Sequence, residues 1–222
     1  MGFLFRPKEL PRPASLTFTL DQAGHTYDDG HVGLAPTDIT ISELRVAVIG
    51  LNGAGKSTLL GLLDGSLKAN AGTVTIAGGE ERLDPAVKKD AKRIDNLVGK
   101  VRREEIPNSF YQAANISEAV SEALKKHKVP ESERHARIGN LFAHFDLAQV
   151  SKAKASELDS EKRYLLAIAA ALSFEPSAIV ADEPSKGLDE IGAAHVAKAL
   201  FSYNKQVIFA THDTDMIRRP EY

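Results

Sequence analysis

The chain has 222 residues, a hydrophobic fraction of 43% and a formal net charge of -2 at pH 7, which suits one large domain with a full core. The near-neutral charge gives no overall positive field, so we expect no nucleic acid partner. The absence of cysteine excludes disulfides and cysteine-ligated metals, and no apolar run approaches the ~20 residues that span a bilayer.

The first predicted elements are a proline-rich lead-in at positions 1–14 and a strand beginning at Ser15. In that strand Leu16, Phe18 and Leu20 alternate with other residues, which predicts one buried face. Further short strands are predicted in the first half of the chain, at Ile39–Ile41, Leu44–Ile49, Thr73–Ala77 and Asn96–Val101.

A glycine-rich segment follows the strand that ends at Ile49. Residues 50–58, GLNGAGKST, match the pattern G-x-x-x-x-G-K-[ST], and a helix is predicted from Lys56. Between a strand and a helix, this pattern turns successive backbone N–H groups toward an anion at the positive end of the helix. We expect Lys56 to reach the β- and γ-phosphates of a nucleotide and Ser57 to hold Mg²⁺. The other predicted binding residues of the loop are Asn52, Gly53, Ala54, Gly55 and Thr58.

The middle of the chain changes from strand patterns to helix patterns. Asn115 and Glu118 have the spacing of a capping box, and Ile116, Val120 and Leu124 then recur every four residues. Strand patterns are absent from about 115 to 174. We therefore predict a helical subdomain over about 104–174, inserted into a single domain that spans 1–222.

An apolar strand predicted at Ala178–Ala181 ends in Asp182 and Glu183. A strand buried on both faces exposes acids only at its carboxyl end, where ligands bind in open α/β sheets. We expect Asp182 to hold Mg²⁺ through water and Glu183 to orient or deprotonate the attacking water.

The α/β pattern continues with a helix from Leu188, a strand at Gln206–Ala210 and a final short helix. His212 follows that last strand. A histidine in this position can hydrogen-bond a γ-phosphate or the attacking water, so it is predicted to join the same site.

These motifs, in this order, resemble the ATP-binding subunits of ABC transporters from about Ser15 to Ile217. The resemblance rests on five features. Four are segments: the phosphate loop Gly50–Thr58, the Walker B stretch Ile179–Glu183, the D-loop Ser185–Asp189 and the loop His25–Gly30, in which Tyr27 takes the place of the aromatic residue that stacks on adenine. The fifth is the switch histidine, His212. The segment from Ser109 to Val120 is similar to energy-coupling-factor importers of vitamins and metal ions.

The resemblance implies an α/β fold, namely a P-loop NTPase (ABC ATPase) core with a mixed sheet, N-terminal antiparallel β strands and an inserted helical subdomain. It implies ATP and Mg²⁺ as cofactors, with Lys56, Glu183 and His212 as catalytic residues. It also implies integral membrane transporter subunits and a second ABC ATPase subunit, in a homo- or heterodimer, as partners.

Three departures from the family pattern affect the expected activity. Leu158–Lys162, LDSEK, replaces the signature Leu-Ser-Gly-Gly-Gln, and its two acids bring negative charge toward a γ-phosphate held by the opposite subunit. Asp159 and Glu161 also suit the start of a helix. Arg103 replaces the Q-loop glutamine. The chain ends ten residues after His212, which indicates either a short member or an incomplete chain.

We therefore expect an ATPase, weak in isolation, that energises a membrane importer from the cytoplasmic side and is peripheral on the inner face of the cell membrane. Two alternatives stay open. One is a degenerate subunit that binds ATP with little hydrolysis and acts as a regulator or scaffold. The other is a soluble non-transport ABC ATPase.

Overall fold

The computed structural model describes residues 15–102 and 106–212. The predicted lead-in, Arg103 and the predicted final helix lie outside these residues. The described part divides into two compact units. The sheet unit comprises residues 15–100, 176–183 and 203–212, and the helical unit comprises 101–102, 106–175 and 184–202. The domain boundaries drawn from the sequence stay predictions.

The sheet unit contains two four-stranded sheets. The first is antiparallel and has the strand order β2-β1-β4-β5. Its strands are β1 (Thr17–Thr26), β2 (Val32–Ile41), β4 (Ala71–Gly78) and β5 (Glu81–Leu83). The alternation that predicted β1 is visible in its burial, because Phe18 and Leu20 both face the core. The predicted N-terminal antiparallel strands are confirmed.

The second sheet has the strand order β3-β8-β7-β6, and β8 pairs in parallel with both β3 and β7. Its strands are β3 (Arg45–Ile49), β6 (Val98–Val101), β7 (Ala178–Asp182) and β8 (Gln206–Thr211). Every residue of β7 and β8 is buried, as a continuous apolar run predicts for a strand covered on both faces. The α/β class is confirmed.

Helix α1 (Lys56–Leu63) lies in the shared core of the two sheets and contacts β2, β4, β7 and β8. Its residue Leu60 is fully buried in one hydrophobic cluster with Phe18, Ile76, Val180 and Ile208. Helix α2 (Lys88–Leu97) and strand β5 were not predicted from the sequence.

The helical unit consists of α3 (Asn108–Gln112), α4 (Ile116–Lys126), α5 (Glu131–His144), α6 (Ser160–Ser173) and α7 (Glu190–Phe201). The predicted cap of α4 is present, because Glu118 N donates to Asn115 Oδ1 at 3.0 Å. Helices α4, α5 and α6 contact one another around apolar side chains such as Val120, Leu141 and Ile168. Within the described ranges, no helix is both long and apolar enough to cross a membrane.

Candidate active site

The parallel register brings three candidate segments to one edge of the second sheet. Ile49 of β3 pairs with Thr211 of β8, and Asp182 of β7 pairs with Ala210 of β8. The phosphate loop, Glu183 and His212 each follow one of these strand ends directly. The sheet edge therefore gathers residues that lie far apart in sequence, as expected for parallel strands.

The phosphate loop has the backbone geometry that its glycines predicted. Gly53 and Gly55 have φ of 82° and 85°, in the left-handed region that favours glycine. A Cβ on Gly55 would lie 2.5 Å from Gly33 O, so the loop and β2 approach too closely for any side chain there. Among the described residues, no side chain caps the N-terminus of α1, and its first turn has no acid. The N–H groups at this end are available for an anion.

Lys56 and His212 both contact the carboxylate of Glu183. Lys56 Nζ lies 3.7 Å from Glu183 Oε1, and His212 Nδ1 lies 2.5 Å from Glu183 Oε2. Lys56 Nζ also donates to Gly50 O at 2.8 Å and Leu51 O at 3.1 Å. The side chains of Lys56 and Glu183 are 7% and 6% exposed, whereas that of His212 is 49% exposed. The structure brings together the three residues predicted to be catalytic, and their roles stay predictions.

Glu183 has an unusual backbone conformation for a residue with a side chain. Its φ is 50°, in the left-handed region, and its N–H donates to Ala210 O at 3.0 Å. Such a conformation costs on the order of 1–3 kcal/mol and persists only where the surrounding structure enforces it. The neighbouring strand thus fixes the carboxylate next to Lys56 and His212. Sequence reasoning did not anticipate this strain.

Asp182 and Ser57, the two predicted Mg²⁺ residues, have features that fit a cation. Asp182 is buried, and its Oδ1 has no hydrogen-bond partner within the described ranges. A buried, unpaired carboxylate oxygen is costly unless a ligand or water reaches it. The Ser57 side chain is exposed at the start of α1. No group of three or more His, Cys, Asp or Glu in the described part could hold a metal alone. A cation here would therefore need ligands beyond Asp182 and Ser57, and Mg²⁺ commonly takes such ligands from water and substrate phosphates.

Tyr27 is hydrogen-bonded to α1, the helix that follows the phosphate loop. Its hydroxyl lies 3.0 Å from Thr58 Oγ1, and Thr58 is buried in the first turn of α1. A Cβ on Gly33 would lie 2.5 Å from Tyr27 Cε2 and 2.7 Å from Thr58 Oγ1, so the ring depends on a glycine at that position. No pattern in the sequence indicated either contact. The predicted adenine contact of Tyr27 stays a prediction.

The replaced signature lies in the helical unit and starts α6. Asp159 caps the helix, because its Oδ1 accepts from Lys162 N at 2.8 Å and its Oδ2 pairs with Lys162 Nζ at 2.6 Å. The side-chain hydrogen bond with Lys162 lowers the pKa of Asp159 and raises that of Lys162. Glu161 Oε1 lies 2.9 Å from His195 Nδ1. Both acids expected to repel phosphate therefore have local partners, which reduces the repulsion expected from two free acids.

Comparison with known proteins assigns the family. The ABC transporter family model matches residues 37–186, more than half of the chain. A Deinococcus radiodurans protein named "Putative ABC transporter ATP-binding protein" is 34% identical over 199 residues, which cover 90% of this chain and 84% of that protein. The energy-coupling factor transporter ATP-binding protein EcfA of Methanocaldococcus jannaschii is 30% identical over 195 residues, covering 86% of this chain and 68% of that protein.

A solved structure gives the same assignment at the level of the fold. The structure of cbiO1 from Clostridium perfringens, described as part of the ABC transporter complex cbiONQ, matches with a TM-score of 0.75 and 26% identity. The match covers 92% of this chain and 81% of that one. Together with the phosphate loop and the acids at the sheet edge, these matches establish that the chain belongs to the ABC transporter family, as an ATP-binding ATPase subunit.

Proposed function

We propose that this chain binds and hydrolyses MgATP to energise a membrane importer, and that ATP-driven dimerisation with a second ATPase subunit transmits the energy. The observation that carries the proposal is the contact of Lys56 and His212 with Glu183, which follows Asp182 directly; Asp182 Oδ1 has no hydrogen-bond partner among the residues that the structure describes. These residues suit hydrolysis as well as binding of ATP, because they include a buried carboxylate, Glu183, that contacts Lys56 of the phosphate loop.

Each residue has a defined task in the proposed reaction. Lys56 leaves the loop carbonyls and Glu183 to contact the β- and γ-phosphates. Glu183, released from that ion pair, accepts a proton from water or orients it, while His212 holds the other carboxylate oxygen. Ser57 and Asp182 would hold Mg²⁺, which supplies positive charge against the phosphates when bound. Tyr27 stacks on adenine.

The importer assignment is supported by relatives named as energy-coupling factor transporter ATP-binding proteins. On the resemblance to energy-coupling-factor importers, we propose a vitamin or a metal ion as the transported substrate, selected by membrane subunits. The chain would then act at the inner face of the cell membrane, from the cytoplasm. Because the LDSEK sequence replaces the signature, we propose an asymmetric dimer in which the second subunit supplies an intact signature to this chain's phosphate loop.

The altered signature also favours a second candidate, a subunit that binds ATP with little hydrolysis and regulates its partner. Steady-state phosphate release from the membrane complex separates the two candidates, with Glu183→Gln as the catalytic control. ATP-dependent turnover that falls in this variant supports the motor. Turnover that is absent from the wild-type complex supports the regulator. A chain that never copurifies with membrane proteins contradicts both and favours the soluble ATPase.

A further inference from the structure

The end of the β1–β2 hairpin places two aromatic rings opposite each other. The strands pair at Thr26 and Val32, and Tyr27 N donates to His31 O at 2.8 Å, so Tyr27 and His31 are the next cross-strand pair. Side chains in such a pair lie on the same face of the hairpin. The ring centroids of Tyr27 and His31 are 6.2 Å apart, and their planes differ by 17°. Planar rings stack favourably on aromatic rings, so this face of the hairpin can contact a further planar ring.

The backbone of the turn holds His31 in place without help from its side chain. Gly30 N donates to Tyr27 O at 2.9 Å, and Gly30 has a φ of 84°. His31 N donates to Asp29 Oδ1 at 2.9 Å. Since these bonds involve only the main chain of His31, the turn does not need an imidazole at this position.

The pair of rings is fixed relative to the phosphate loop. The Tyr27 hydroxyl forms a hydrogen bond with Thr58 in the first turn of α1. Thr58 directly follows Lys56 and Ser57 in the sequence. Tyr27 and His31 are both exposed residues. A planar group that enters beside phosphates bound at α1 would therefore meet both rings.

We propose that His31 is a second aromatic contact of the nucleotide base, next to Tyr27, and a residue that determines preference for ligands with a planar base. The inference rests on the proposed ATP site. The two rings are 6.2 Å apart at their centroids and nearly parallel, so a base stacked on Tyr27 would lie next to the His31 ring. Such contact adds affinity for any ligand with a base and none for the polyphosphate alone.

The test compares MgATP with magnesium tripolyphosphate, which has the phosphates and no base, by calorimetry on the full chain. His31→Ala and His31→Leu should each weaken MgATP binding by about tenfold, within the range measured for base–aromatic stacking. Their affinity for tripolyphosphate should stay unchanged. His31→Phe restores the ring and should restore most of the ATP affinity. His135→Ala removes an exposed histidine of α5 and serves as the matched control.

The outcomes separate this inference from the nucleotide site itself. If Lys56→Ala loses both ligands while His31→Ala and His31→Leu bind ATP like the wild type, the role of His31 is refuted and the site stands. If the His31 variants bind MgATP and tripolyphosphate equally more weakly, or if His31→Leu binds MgATP as tightly as His31→Phe, the His31 ring does not contact a base. If Lys56→Ala retains both ligands, the proposed site is wrong and the inference falls with it.

Discussion

Replacing Glu183 by Gln should separate ATP binding from ATP hydrolysis, and it should also reveal the ion pair of the ligand-free protein. The substitution keeps the shape of the side chain and removes both its charge and its capacity as a base. We expect turnover in the assembled complex to fall by about 10²–10⁴-fold, the range for loss of a general base. ATP affinity should be equal or higher, because a negative charge near the phosphates is gone.

The structure gives the size of a second effect, on stability. Lys56 Nζ and Glu183 Oε1 are 3.7 Å apart with both groups buried, which at an effective dielectric near 20 corresponds to about 4 kcal/mol of attraction. Removing one partner of a buried ion pair typically costs about 3 kcal/mol, because the other charge stays buried. For a chain of this length, that loss lowers the melting temperature by about 6–12 °C. Bound phosphates give Lys56 a new partner, so MgATP should recover the difference.

Thermal unfolding with and without MgATP, together with phosphate release, tests both effects. Glu131→Gln is a suitable control, because Glu131 lies exposed in the first turn of α5. An unchanged melting temperature of ligand-free Glu183→Gln would refute the argument from the ion pair. Wild-type turnover in the complex would show that Glu183 is not the catalytic carboxylate.

Three further predictions follow from the phosphate loop and the altered signature. Lys56→Ala should abolish ATP binding at physiological concentrations in calorimetry, because it removes the main positive charge on the phosphates; unchanged affinity would contradict the site. Asp159→Ala should lower the unfolding free energy by ~1 kcal/mol at neutral pH by loss of the helix cap. The folded-state pKa of Asp159 lies below its ordinary value of 3.8, so its contribution to the unfolding free energy is present above that value and is lost as pH falls through the lowered pKa. Urea titrations at several pH values measure this loss. Replacing residues 159–162 by Ser-Gly-Gly-Gln should increase ATP-dependent dimerisation in light scattering while lowering the stability of α6; tight ATP-dependent dimerisation of the wild type at low salt would contradict the repulsion argument.

The sequence predicted elements whose causes lie within a few residues. Helix α1 begins at Lys56 as predicted, because the glycine loop before it and the apolar pattern within it are local. The cap at Asn115 is equally local. Strand β7 was predicted because, in an α/β chain, a short continuous apolar run followed by acids fits few structures other than a buried strand.

Other features depend on contacts that no local pattern encodes. Only Ile94 of α2 is buried, and most of the other side chains of this helix are charged or polar, so few apolar residues mark it in the sequence. Glu161 of α6 and His195 of α7 form a pair although they lie 34 positions apart in sequence. The left-handed backbone of Glu183 follows from its bond to β8, and neither residue type nor spacing indicates it.

The position of β8 in the second sheet has a consequence for folding during synthesis. β3 and β7 do not pair with each other, since β8 lies between them and is the last strand of the described chain. Until residues 206–211 leave the ribosome, the facing edges of β3 and β7 have no partner, and unpaired strand edges favour aggregation. The phosphate loop is translated early, yet its sheet edge is completed only when β8 inserts. Nucleotide binding should therefore appear late in synthesis, after the chain beyond β7 has emerged.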